Sequence, residues 1–158
     1  SKAAARLSAQ FRAGDLEKLY LALSESPPDP PAGVLEQWLS KDARSNTVRV
    51  TRPEAEGARR AVTRWRVLGS AGSGPVAIEV APSTGRPHQI RSALASLGAV
   101  ILGDLKYGAR AALPDKSIAL HAARLTVLHP IGGAPVSFEA PPPERPWWRL
   151  DAFTPGGS

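Results

Sequence analysis

Ser83-Thr84-Gly85-Arg86-Pro87-His88-Gln89-Ile90-Arg91 is the densest polar cluster in the chain, and it falls where one structural period gives way to another. Before it, residues 76–82 (Val-Ala-Ile-Glu-Val-Ala-Pro) read as a strand. After it, Ile90, Ala93, Leu94 and Leu97 recur at i, i+3, i+4 and i+7, which predicts a helix over 86–97. Thr84 is placed to cap that helix, Pro87 suits its first turn, and Gly98 ends it. A corner between strand and helix offers backbone N–H groups to an anion, and Arg86, His88, Gln89 and Arg91 add side-chain donors. An ordinary capped helix with exposed polar residues is the competing reading of the same nine residues.

Upstream, residues 61–68 predict a strand paired with 76–82 around a Ser-Ala-Gly-Ser-Gly turn. Residues 17–24 alternate, with Leu19, Leu21 and Leu23 on a core side and Lys18, Tyr20 and Ala22 on a functional side. Residues 2–13 carry Ala4, Leu7 and Phe11 at helical spacing before Gly14. Residues 26–33 hold four prolines and a glycine and read as a loop; 34–39 are a short apolar stretch. The region 41–60 predicts a loop with one short strand. Downstream, Gly103-Asp104-Leu105-Lys106-Tyr107-Gly108 reads as a tight turn with a buried tyrosine. Residues 118–128 and 136–140 predict closing strands, and the tail from Pro141 wraps the surface. Strands outnumber helices and hairpin links are common. The expected class is therefore α+β, with a mixed, mostly antiparallel sheet and flanking helices.

Composition narrows the partners. The 158 residues carry a formal charge of +6, and the pI is about 10.3. Residues 41–66 concentrate the excess, with eight basic residues against three acidic ones. Seven of the eight are arginine, whose planar fork matches phosphate, so the patch suggests a polyanion, most commonly nucleic acid, with a plain solvated surface as the competing reading. There is no cysteine, which excludes disulfides and thiolate metal sites. No apolar run reaches the ~18 residues of a membrane span. A monomer in a reducing, cytoplasmic setting is expected.

The ordered set Thr84-Gly85-Arg86-Pro87-His88-Gln89-Ile90-Arg91, Ile101-Leu102-Gly103-Asp104 and Tyr107-Gly108 resembles the signature TGRxHQIR…hhGDxxYG of RluA-type RNA pseudouridine synthases. Glu17-Lys18-Leu19-Tyr20-Leu21-Ala22 is similar to the family's EKxYLA strand, and Leu120-His121-Ala122, Leu125 and His129-Pro130 to its LHAxxLxFxHP segment. Phe138-Glu139-Ala140-Pro141 matches the strand after it, so the likeness covers most of residues 1–150.

The resemblance implies isomerisation of uridine to pseudouridine in ribosomal or transfer RNA, with no cofactor and no metal. The base is flipped into a pocket, and an aspartate starts the reaction. Arg86 then corresponds to the arginine that pairs with this aspartate and touches the flipped nucleotide, which keeps the carboxylate ionised. Tyr20 corresponds to the tyrosine stacked on the uracil, to which the resemblance also assigns a part in proton relay. Lys18, His88, Gln89 and Arg91 are the expected RNA-contacting or pocket-supporting residues.

The family's aspartate belongs to an HRLDxxTSG motif that these residues do not contain. Asp15, Asp29, Asp42, Asp104, Asp115 and Asp151 all lie outside such a setting, and Asp104 suits a structural role in its turn. The chain has no methionine and opens on Ser1-Lys2 inside a predicted helix. The expectation is a partial catalytic domain over 1–150 and a tail over 151–158, cut from a longer protein, with a sheet edge left exposed. A catalytically inactive RNA-binding paralogue is the main alternative; a basic structural domain unrelated to RNA ranks last. His121 and His129 read as structural histidines, since no third ligand lies near them. Trp65 reads as core, while Trp147 and Trp148 stay open between packing and base stacking.

Overall fold

The computed structural model describes residues 1–14 and 16–152. Seven strands form one sheet: β1 (Glu17–Ser24), β2 (Ala32–Asp42), β3 (Thr47–Thr51), β4 (Arg59–Ser70), β5 (Val76–Pro82), β6 (Leu120–Leu128) and β7 (Pro135–Glu139). The two α-helices are α1 (Lys2–Ala13) and α2 (Gln89–Ser96). Strand order is β3-β2-β4-β5-β1-β6-β7, and every pairing is antiparallel. Two hairpin systems, β2 to β5 and β6 to β7, flank β1 and make it a central strand.

The segments 34–39 and 41–60 are more regular than the sequence suggests. β2 runs for eleven residues, and β4 begins at Arg59, inside the basic region. The apolar alternation of β2 is interrupted by Gln37, a polar residue at an inward position. Its amide is buried because it donates to Ser96 Oγ on α2 at 3.0 Å. Val34, by contrast, is 57% exposed on the opposite face.

The core lies between the sheet and α2. Ile90 and Leu94 from the helix pack with Trp65, Ile78 and Val80, and Ala93 is buried beside them in the helix. Fully burying a side chain the size of Leu94 stabilises by about 1.5–3 kcal/mol. Trp65 is core as expected, and its indole N–H donates to Pro30 O at 2.9 Å. The ring lies so close to β2 that a Cβ at Gly33 would meet it at 3.0 Å, so no larger residue fits there without a shift. Trp148 is also buried, edge-on to His121, whose strand partner is Leu21; the tail thus covers that end of the second sheet face. Leu23 and Ala22 are both buried, so β1 has no fully open side at this end.

Helix α1 forms where Ala4, Leu7 and Phe11 recur at helical spacing, but it does not bury them. None of its residues is buried, and Phe11 is 59% exposed. Polar contacts attach it instead. Gln10 Nε2 donates to Leu128 O at 2.6 Å, Gln10 Oε1 accepts from Leu128 N–H at 2.8 Å, and Arg6 donates to Pro130 O. One side-chain amide thereby satisfies both backbone groups of a β6 residue, as a neighbouring strand would.

Candidate active site

The corner 83–91 departs from a simple strand-to-helix step. α2 begins at Gln89, not at 86, because His88 takes a left-handed conformation (φ 51°, ψ 20°). Thr84 does not cap the helix. Its hydroxyl accepts from Val62 N–H at 3.0 Å and donates to Gln89 Oε1 at 2.6 Å. Gln89 is buried, and its amide uses all four hydrogen-bonding positions inside the protein. Oε1 also accepts from Arg86 N–H at 3.1 Å, while Nε2 donates to Val62 O at 2.9 Å and Thr63 Oγ1 at 3.0 Å. No capacity remains for RNA. The expected contact from Gln89 is therefore replaced by a brace that locks residues 84–86 onto β4.

That brace presents Arg86. Its Nε donates to Arg60 O at 2.8 Å, and its terminal nitrogens make no hydrogen bond among the described residues. Arg86 lines a cleft of about 230 Å³ with Lys18, Tyr20, Thr84, Gly85 and Leu120. Tyr20 is half-buried on β1 opposite Val80. The Lys18 ammonium rests over the turn, where a Cβ at Gly85 would meet Nζ at 3.1 Å. Among the described residues, no acid lines this cleft.

His88 and Arg91 border the same cleft, but their polar atoms turn into a second network. Asp104 is only 1% exposed and accepts from Arg91 Nη2 at 2.7 Å and Nε at 3.0 Å. The Arg91 guanidinium also lies 5.0 Å from the centre of the Tyr107 ring. Arg91 Nη1 lies 3.2 Å from His88 Nε2, and His88 Nδ1 lies 3.0 Å from Tyr107 Oη. Arginine can only donate, so Nε2 must accept and the proton of a neutral His88 belongs on Nδ1. Burial, then the nearby Arg91 charge, holds the His88 pKa below its ordinary value, consistent with a neutral ring. Tyr107 Oη also accepts from Val48 N–H at 2.9 Å, which fastens β3 to the start of α2. His88 and Arg91 are thus engaged internally, an arrangement that matches the pocket-supporting one of their two expected roles.

Sequence reasoning placed Asp104 and Tyr107 in a structural turn but not in contact with Arg91 and His88. Their shared signature spacing was the available signal. His121 and His129 make backbone contacts to Ala140 O and within the β6–β7 turn. Among the described residues, no helix is long and apolar enough to cross a membrane.

A sequence profile described as RNA pseudouridylate synthase matches residues 1–96. The chain belongs to this family. Its relatives include the dual-specificity RNA pseudouridine synthase RluA of Escherichia coli, 33% identical over 150 residues that cover 89% of this chain and 64% of the relative. The chloroplastic RNA pseudouridine synthase 2 of Arabidopsis thaliana is 31% identical over 166 residues, covering 88% of this chain and 38% of the relative. This pseudouridine synthase chain therefore spans between 38% and 64% of the length of these two curated relatives. Among solved structures, human RNA pseudouridylate synthase domain containing 1 superposes with a TM-score of 0.75 at 25% identity, covering 97% of this chain and 65% of that one. The α+β class and the antiparallel sheet are those of pseudouridylate synthase domains.

Proposed function

We propose that residues 1–150 form the part of an RNA pseudouridine synthase catalytic domain that holds the target uridine, with Arg86 and Tyr20 as its catalytic residues. The observation that carries this reading is the cleft itself: an aromatic ring, a guanidinium anchored through Nε alone, and an ammonium, with no acid among them. Its volume is below the ~300–1,000 Å³ of clefts for drug-sized ligands, which suits a single flipped base. Tyr20 supplies a stacking face, worth about 1–3 kcal/mol per base. The Arg86 fork can hold a carboxylate or a phosphate in bidentate fashion, which a lysine cannot.

The initiating carboxylate must come from an aspartate in an HRLD setting, which residues 1–158 lack. Asp104 cannot substitute, because its carboxylate is enclosed and held by Arg91. Lys18 is the RNA contact in this reading, and Gln89, His88 and Arg91 are positioning residues. The substrate is uridine in ribosomal or transfer RNA, the setting is cytoplasmic, and the protein acts as a monomer.

The test is incubation with uridine-containing RNA and mass analysis of the nucleosides. The chain 1–158 alone should form no pseudouridine; a longer version with the HRLD aspartate should form it. In that version Arg86→Lys should lower turnover by about 10²-fold or more, as expected when a charge-organising donor is lost. Turnover by residues 1–158 alone would overturn the assignment of the carboxylate. A longer version that binds RNA and makes no product would favour the inactive paralogue.

A further inference from the structure

We infer that Arg64 is the centre of a second anion seat, on the sheet face opposite α2, which takes a backbone phosphate of the RNA whose uridine occupies the Tyr20 cleft. The inference rests on the proposed RNA substrate and extends it to a residue outside that cleft.

β4 carries three outward arginines at alternate positions 60, 64 and 66 around Val62, and the carboxylates they reach separate them. Arg60 donates to Glu36 on β2, with Nη2–Oε2 at 2.7 Å. Arg66 donates to Glu79 on β5 at 2.8 Å. Arg64 stands opposite Val34 on one side and Ala81 on the other, so neither neighbouring strand offers it a carboxylate. The nearest diagonal acids on this face, Glu36 and Glu79, are the two already engaged. Among the described residues Arg64 has no ion pair, and it is exposed.

The place is concave. Arg64 lines a cleft of about 430 Å³ with Leu19, Val34, Ala81, Ser83 and Arg124. Arg124 meets Glu139 only at 4.0 Å, so its charge is weakly offset. The Ser83 hydroxyl adds a neutral donor. Among the described residues, Glu17 is the one acid on the lining. A guanidinium flanked by small and apolar residues is poorly hydrated on its flanks and retains its fork for a planar or tetrahedral oxyanion. The continuity of the two clefts gives the ligand its class. Lys18 and Pro82 line both, so the seat adjoins the base-holding cleft at the end of β1 and β5. A polyanion with a base in one cleft would carry its next phosphates past Ser83 toward Arg64.

The experiment measures RNA affinity against salt for the wild-type chain, Arg64→Gln and Arg66→Gln, using a single-stranded uridine-containing oligonucleotide. Each neutralised phosphate contributes about 0.7 to the slope of log K against log salt for single strands, so Arg64→Gln should flatten the slope by about that amount. The affinity ratio of wild type to variant should then shrink about 2.6-fold between 50 and 200 mM salt. The loss should not depend on oligonucleotide sequence, since a phosphate contact reads none. Arg66→Gln, whose charge is already paired, should leave the slope unchanged. Thermal unfolding of each variant checks that the fold is retained. A wild-type slope in folded Arg64→Gln, with wild-type RNA binding intact, would refute the seat and leave the base cleft standing. Failure of the wild-type chain to bind RNA would remove both together.

Discussion

Replacing Asp104 with asparagine tests the chain of reasoning that links the turn 103–108 to the cleft. The carboxylate is enclosed, and it receives two charge-assisted hydrogen bonds from a guanidinium only 18% exposed. Asparagine keeps the size and one acceptor oxygen but leaves the Arg91 charge without its counterion. Breaking one side of a buried pair costs about 3–5 kcal/mol; with Arg91 still partly wet, the lower end, about 3 kcal/mol, applies. For a domain near this length each kcal/mol lowers Tm by about 2–4 °C, so Asp104→Asn should melt about 6–12 °C below wild type. The double variant Arg91→Met with Asp104→Asn should recover part of that loss, because it removes the uncompensated charge along with its partner. Circular dichroism melts at pH 7 compare wild type, the two single variants Asp104→Asn and Arg91→Met, and the double variant. A single variant within about 2 °C of wild type, or a double variant additive with its parents, would refute the view that Arg91 depends on this carboxylate.

Other outcomes follow from the same geometry. His88 has a folded pKa below its ordinary 6.5, so the unfolded chain takes up a proton first as pH falls. Stability should be unaffected by this group above 6.5 and should decline as pH drops from there toward the folded pKa. In His88→Asn melts between pH 7.5 and 5 that decline should shrink, and an unchanged pH dependence would contradict the neutral ring. Gly85→Ala should displace the Lys18 ammonium, weakening RNA binding severalfold with little change in Tm, as read by fluorescence anisotropy and thermal melts. Gln10→Ala should release α1 from β6, at a local cost of about 1–3 kcal/mol, visible as faster amide exchange in residues 2–13 while β1 and β5 stay protected.

Residue order alone was enough to locate the polar corner at 83–91, the strands over 61–68 and 76–82, the helix ending before Gly98, and the family to which they belong. Those features depend on period and spacing, which are local properties of the chain. It also brought Tyr20 forward, because alternation along β1 puts Lys18 and Tyr20 on one side. Local pattern could not tell which polar groups would be consumed internally. Gln89 looks like a donor for RNA until Val62 and Thr63, on a strand 26 to 27 residues away, converge on it together with the nearby Thr84. His88 and Arg91 likewise look free until Asp104 and Tyr107 arrive from the following turn. Arg64 was one of eight basic residues in a single stretch, and only the tertiary structure decided that Arg66 would face Glu79 and Arg60 would reach diagonally to Glu36 while Arg64 faces valine and alanine. Hydrogen-bond satisfaction and charge pairing are settled between segments distant in sequence. The tertiary structure therefore decided which of the conspicuous side chains remain available to a ligand.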